Sequence, residues 1–277
     1  MRAVVAVLLF VTAAHAGLWG LLREKQQAPD FTGILPSVSY APFDGSAHPD
    51  VDNIPTVERI RSDLKKLAPI SRAIRLYSST GGVELVPPVA NEVGLKVTVG
   101  AWIDKHVDRN ERELQAAVDL AKHNSNVNGI VVGNETIYRA DQKVEDLIKL
   151  IQRVKSQVNV PVTTGEIWNI WLEHPELASS VDFIAAHILP YWDDEPVGVD
   201  AAIPGVDRLY SRLQGQFPGD AERVFSGHRK GHHTSLSGKS LTFRIGDSKD
   251  PAFWQGIQPP QQPGGEGLFC RLNFLHP

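Results

Sequence analysis

Cysteine is almost absent: the 277 residues include one, Cys270, which excludes an internal disulfide and any cysteine-built metal site. Positive charge is not in excess either. Lys and Arg total 28 against 32 Asp and Glu, a net charge of −4, so nothing in the charge points to nucleic acid. A glycine-rich phosphate-binding turn is also missing. After the first apolar run the chain reads Ser39-Tyr40-Ala41-Pro42-Phe43-Asp44-Gly45, which lacks the dinucleotide fingerprint. His228, His232 and His233 have no acidic or sulfur partner at metal-ligand spacing. No cofactor and no metal are therefore expected. What remains, 42% hydrophobic and 22% charged, is enough to build the core of one large domain.

The first 24 residues stand apart from that domain. Ala3 to Leu22 is apolar apart from Thr12, His15 and two glycines, and Arg2 precedes it. Ala14-His15-Ala16 fits a signal-peptidase site, with Val4–Ala13 as the hydrophobic region. The whole run is also long enough to span a bilayer as an uncleaved anchor, with Trp19 at its end. A buried core helix is the third reading. The first two place the remainder outside the cytoplasm: anchored to an inner membrane and facing the periplasm, or free as a periplasmic or secreted protein.

From residue 30 to 219, strand and helix patterns alternate. Nearly continuous apolar, β-branched runs occur at Ile34–Tyr40, Ala73–Tyr77, Leu95–Gly100, Gly129–Val132, Val160–Thr164 and Val181–His187. Such runs suit strands buried on both faces. Between them, Thr56–Leu67, Asn110–Asn124, Asp141–Val158 and Val206–Phe217 repeat apolar residues at helical spacing, and Asn110 with Glu113 has the spacing of a capping box. Val83–Val93 is the weakest helix, because Pro87-Pro88 removes two backbone donors. Six βα units in series predict parallel strands of a (β/α)8 barrel, with only about six units evident.

The strand ends carry the chemistry. Tyr40, Tyr77, Trp102, Asn134-Glu135, Glu166, Trp168, His187, Tyr191 and Trp192 all fall at or just beyond successive strand exits. In a barrel these exits converge on one face, where active sites are built. Indoles and phenols stack on sugar rings, and amides and carboxylates hold hydroxyls. Glycoside cleavage needs two carboxyl groups flanking the bond, one of them able to give a proton. Glu135, at the fourth exit, suits that acid. Glu166 suits ligand binding, tuning of Glu135, a structural hydrogen bond or a second carboxylate. It would approach the sugar from the same side as Glu135, which counts against the last of these.

The motifs Ser37-Val-Ser-Tyr40-Ala-Pro-Phe43, Ile74-Arg-Leu-Tyr77-Ser, Leu95-Lys-Val-Thr-Val-Gly-Ala-Trp102-Ile, Ile130-Val-Val-Gly-Asn-Glu135, Pro161-Val-Thr-Thr-Gly-Glu166 and His187-Ile-Leu-Pro-Tyr-Trp192 occur in this order. Over residues 33–219 the chain thereby resembles bacterial members of glycoside hydrolase family 17. The resemblance implies a (β/α)8 barrel that cleaves or transfers β-1,3-glucan with retention, Glu135 as general acid/base and Asn134 as its partner. It also implies cleft positions for Tyr40, Tyr77, Trp102, Glu166, His187, Tyr191 and Trp192. Similar modules occur attached to membrane β-glucan synthases, so a synthase partner is implied alongside the glucan.

One element of the pattern is missing. The family places its nucleophilic Glu after the seventh strand, in a Gly-Glu-x-Gly-Trp-Pro-Ser-like motif. Arg223-Val224-Phe225 suits that strand, yet Ser226-Gly227-His228-Arg229 follows, without a carboxylate. Over residues 218–277, fifteen of 60 are Gly or Pro, about twice the upstream share, and no further βα unit is evident. A reading-frame shift near Val224–Gly227 and natural divergence both account for the break. On either account, residues 220–277 form an irregular tail, and a catalytically silent glucan-binding module stands beside the enzyme reading.

Overall fold

The computed structural model describes residues 33–43, 54–189 and 199–217. Six strands alternate with helices: β1 (Val38–Ser39), α1 (Val57–Leu67), β2 (Ala73–Arg75), α2 (Val86–Glu92), β3 (Lys96–Ala101), α3 (Val107–His123), β4 (Val127–Asn134), α4 (Val144–Lys155), β5 (Val162–Ile167), α5 (Trp168–Glu173), α6 (Pro175–Ser180), β6 (Ala185–His187) and α7 (Val199–Gln216). The apolar spacing read from the sequence becomes the inner face of each long helix. Ile60, Leu64 and Leu67 of α1, and Val144, Leu147, Ile151 and Val154 of α4, are buried against the sheet. Thr56 caps α1 by accepting from the Arg59 N–H at 3.2 Å.

All six strands pair in parallel and in chain order, β1-β2-β3-β4-β5-β6. Side chains alternate across β4: Ile130 and Val132 join the core under the helices, while Val131 clusters with Ala185 on the other face. The sheet curls strongly. In a flat sheet, β2 and β6 would lie about 19 Å apart, four strand spacings. Instead, Arg75 Nη1 of β2 lies 3.2 Å from His187 Nε2 of β6. The result is an open portion of a (β/α)8 barrel whose concave face holds Arg75, Thr98, Thr163 and His187, all buried.

Several local expectations are corrected. The first strand is shorter than Ile34–Tyr40, although Leu35 still bridges Ser71. Pro87-Pro88 does not prevent a helix, because both prolines sit in the first turn of α2, where backbone N–H groups lack intrahelical partners. The third helix begins at Val107, with His106 as its N-cap, so Asn110 and Glu113 do not form a capping box. Asn110 instead clasps the Asp104 backbone, accepting from its N–H at 3.0 Å and donating to its carbonyl at 2.8 Å. Helices α5 and α6 have no counterpart in the periodicity, and α7 begins seven residues before Val206, with Pro204 inside it.

No helix among the described residues is long and apolar enough to cross a membrane, and no three of their His, Cys, Asp or Glu side chains are grouped to hold a metal. The apolar segment 1–24, the histidines of 228–233 and the tail 220–277 lie outside the described residues.

Candidate active site

The backbone turns sharply at the exit of β4. Gly133 has φ +83°, and a Cβ there would meet Thr136 Oγ1 at 2.4 Å, so only glycine fits the approach. Two residues on, Glu135 adopts φ +54°, a left-handed conformation that costs a non-glycine residue roughly 1–2 kcal/mol. Its N–H donates to the Gly165 carbonyl at 2.6 Å, and its own carbonyl accepts from Arg139 N–H at 2.8 Å. These bonds hold the strained turn and leave the Glu135 carboxylate half-buried at the mouth of the curl.

A chain of side chains from β6, β2 and β4 leads away from it. His187 Nδ1 lies 2.6 Å from Glu135 Oε1. On the other side of the ring, Nε2 faces Arg75 Nη1, and Arg75 Nη2 donates to Asn134 Oδ1 at 3.0 Å. Arg75, Asn134 and His187 are each less than 5% exposed. Gly165 makes room for this layer: a Cβ there would lie 2.9 Å from Arg75 Nη2 and 3.1 Å from His187 Nε2.

Glu166, next along β5, is fully buried and accepts from the N–H groups of Ile137 at 2.9 Å and Tyr138 at 3.4 Å. Burial pushes its carboxyl up to about 7; the negative charge of Glu135 adds to that, and the backbone donors oppose it. Glu166 therefore braces the turn that carries Glu135. Lying wholly under that turn, it does not offer an accessible nucleophile.

Aromatic residues border the cluster. Tyr77 receives the Arg75 guanidinium over its ring, 4.7 Å from the centroid, and its hydroxyl lies 3.1 Å from Ser39 Oγ. Trp102 is half-buried, with the Arg139 guanidinium stacked 4.4 Å from its centroid. Arg139 also donates to the carbonyls of Asn134 and Ile103 and to Asp141 Oδ2, fastening the exits of β3 and β4 together. Trp168 opens α5 and lies partly buried, with Arg212 over its ring. Tyr40, expected at the cleft, packs in the core and donates from its hydroxyl to Asp63 of α1 at 3.2 Å. Strand alternation turns Ser39 inward and Tyr40 toward the helices. Tyr191 and Trp192 lie outside the described residues, as does the expected nucleophile position at 226–229.

Sequence reasoning missed three site residues. Arg75 and Arg139 knit the exits together, and Glu113 is a buried carboxylate of α3 that accepts from Ser78 Oγ, Ser79 N–H, Thr80 Oγ1 and Trp102 N–H. A charged residue inside the apolar Ala73–Tyr77 run was the available signal for Arg75. A buried guanidinium must find acceptors, and the strand exits hold them.

Residues 37–227 match the BtgE/BtgC glycoside hydrolase domain. The chain belongs to this family. As a BtgE/BtgC domain it is 26% identical over 198 residues to a probable glucan endo-1,3-beta-glucosidase btgC of Aspergillus terreus, covering 65% of this chain and 30% of that protein. It is 30% identical over 176 residues to the putative btgC of Aspergillus niger, covering 57% and 25%. The chain thus spans less than a third of the length of these curated relatives. Among solved structures, the domain resembles the glycoside hydrolase family 17 β-1,3-glucanosyltransferase of Rhizomucor miehei (TM-score 0.58) and its active-site mutant in complex with laminaritriose (TM-score 0.59). Both are 25% identical and cover 67% of this chain and 68% of theirs. These relatives are fungal, and they support the family and the partial barrel but not the bacterial affiliation expected from the motifs. The match ends at Gly227, within the stretch where the sequence departs from the family pattern.

Proposed function

We propose that this domain binds β-1,3-glucan across its strand exits, with Glu135 in the place of a retaining glycosidase's acid/base, and that it turns glucan over slowly or not at all. The single observation that carries the reading is the Glu135–His187–Arg75–Asn134 layer at the converging exits of β4, β6 and β2. The glucanase and glucanosyltransferase relatives and the laminaritriose bound to one of them supply the substrate class. Glu135 would protonate the leaving glycosidic oxygen, while Tyr77 and Trp102 offer faces for sugar rings.

The deficit lies in the second half of the mechanism. Retention divides the substitution into two steps through a glycosyl–carboxylate intermediate. Ser226-Gly227-His228-Arg229 brings no carboxylate to the expected position, and Glu166 is occupied by the Ile137 and Tyr138 N–H groups. Three decades of lost rate correspond to about 4 kcal/mol of barrier, and removal of a nucleophile reaches that scale. The expected synthase attachment has no observation behind it among the described residues and forms no part of this reading.

The test is turnover of a reduced laminari-oligosaccharide by the full chain beside Glu135→Gln, with electrophoresis through a gel containing β-1,3-glucan. Retarded migration without turnover above the Glu135→Gln background is expected. Robust turnover abolished by the substitution would refute the inactive reading, and unretarded migration would refute binding.

A further inference from the structure

Arg75 is buried beside His187, on the far side of the imidazole from Glu135. A guanidinium carries only donors. Its Nη1 lies 3.2 Å from His187 Nε2, so that nitrogen presents its lone pair. A neutral imidazole then carries its one proton on Nδ1, which donates to Glu135 Oε1 at 2.6 Å. Oε1 is thereby an acceptor whether or not Glu135 is protonated.

We propose that Arg75 fixes His187 as the neutral Nδ1–H tautomer and so keeps the exchangeable proton of Glu135 on Oε2, where it can be given to a leaving group rather than lost to the imidazole. The proposal rests on the reading of Glu135 as the acid/base. The proton balance is simple. When Glu135 gives up the Oε2 proton, His187 continues to donate to Oε1 and its own protonation does not change. For His187 to take that proton instead, Nε2 would have to become an N–H, pointing at the guanidinium N–H groups across 3.2 Å. An ordinary imidazole is a stronger base than a carboxylate by about two pKa units, so without Arg75 it would form an imidazolium–carboxylate pair and leave Glu135 with no proton to donate.

Among the described residues, the charged groups beside His187 are Arg75 from β2 and Glu135 beyond β4; Glu166, on the neighbouring strand β5, is in register with Ala186 and lies on the opposite face of the sheet. The Glu135 carboxylate favours an imidazolium. Arg75 opposes it twice, by its charge and by denying Nε2 an acceptor. Asn134 Oδ1 holds the guanidinium in that attitude, and the missing Cβ of Gly165 gives it room.

The test is ring-nitrogen NMR of the ¹⁵N-labelled full chain, with His187 assigned by its loss in His187→Gln. The expected pattern is one protonated nitrogen, Nδ1, and one bare nitrogen, Nε2, from pH 7 down to about pH 5.5, where an ordinary imidazole is roughly nine-tenths protonated. Arg75→Met should give two protonated nitrogens at pH 5.5, and Arg75→Lys, which keeps a donor, should restore the wild-type pattern. An imidazolium or an Nε2–H tautomer in the wild-type chain at pH 7 overturns the proposal, and that spectrum suffices if Arg75→Met does not fold. An unchanged pattern in folded Arg75→Met overturns the role of Arg75, since a purely structural residue would leave the tautomer alone. The readout involves neither glucan nor turnover, so it stands apart from the tests of binding and catalysis.

Discussion

Replacing Glu113 should unfasten the exits of β2 and β3 together. Its carboxylate is 2% exposed and has its two oxygens divided between two kinds of donor. Oε1 accepts from the hydroxyls of Ser78, at 2.6 Å, and Thr80; Oε2 accepts from the backbone N–H groups of Ser79, at 2.9 Å, and Trp102, at 3.1 Å. Hydroxyls can turn to other acceptors, and Ser78 Oγ already lies 3.4 Å from the Thr80 carbonyl. The backbone N–H groups cannot turn. Glu113→Ala strands both, at about 1–3 kcal/mol each, so a loss of about 3 kcal/mol is expected. Glu113→Gln should cost only about 1 kcal/mol, because its oxygen can face the two N–H groups while its NH2 donates to the hydroxyls, which also accept. Urea unfolding followed by tryptophan fluorescence measures both, with the m-value expected to stay constant. If Ala costs under about 1 kcal/mol, or Gln costs as much as Ala, the partition of donors described here is wrong.

Two further outcomes concern neighbouring residues of β5. Gly165→Ala pushes a methyl group against Arg75 Nη2 and His187 Nε2, and should lower stability by about 1–3 kcal/mol, read as a lower urea midpoint. Glu166 has a folded pKa of about 7, above its unfolded value near 4.5, so the folded state holds more protons between those values. Its contribution is therefore fully present below about pH 4.5 and lost as pH rises through about 7, a swing on the order of 3 kcal/mol. Urea titrations across this window should show wild-type stability falling with pH and Glu166→Gln varying less; parallel curves would exclude Glu166 as the source.

How far the sequence could be read depended on the range of the forces involved. The runs that became β3, β4 and β5 were legible because a parallel strand covered on both faces is apolar throughout. Asn134-Glu135 was legible because a strand exit is a local feature. Arg75 was not, since its partners Asn134 and His187 lie 59 and 112 residues away and only the curl of the sheet brings them together. At Glu113 a local rule lost to a distant demand: the capping-box spacing was present, but buried N–H groups at two strand exits needed a carboxylate more than the helix needed a cap. Tyr40 was a question of parity. In a strand, one residue separates the concave face from the helix face.

The chain-ordered sheet bears on how such a domain is synthesised. Each strand pairs with its immediate predecessor, across separations that run from 20 residues (Gly165 to Ala185) to 36 (Val38 to Ile74). Among the described residues no pairing waits for a distant segment, so a chain emerging from the ribosome can add each of these βα units to the edge left by the one before. Every residue of the Glu135 layer has been synthesised by His187, some forty residues before the sequence leaves the family pattern near Gly227. The proton-holding layer can therefore assemble on the nascent chain irrespective of which sequence is translated next.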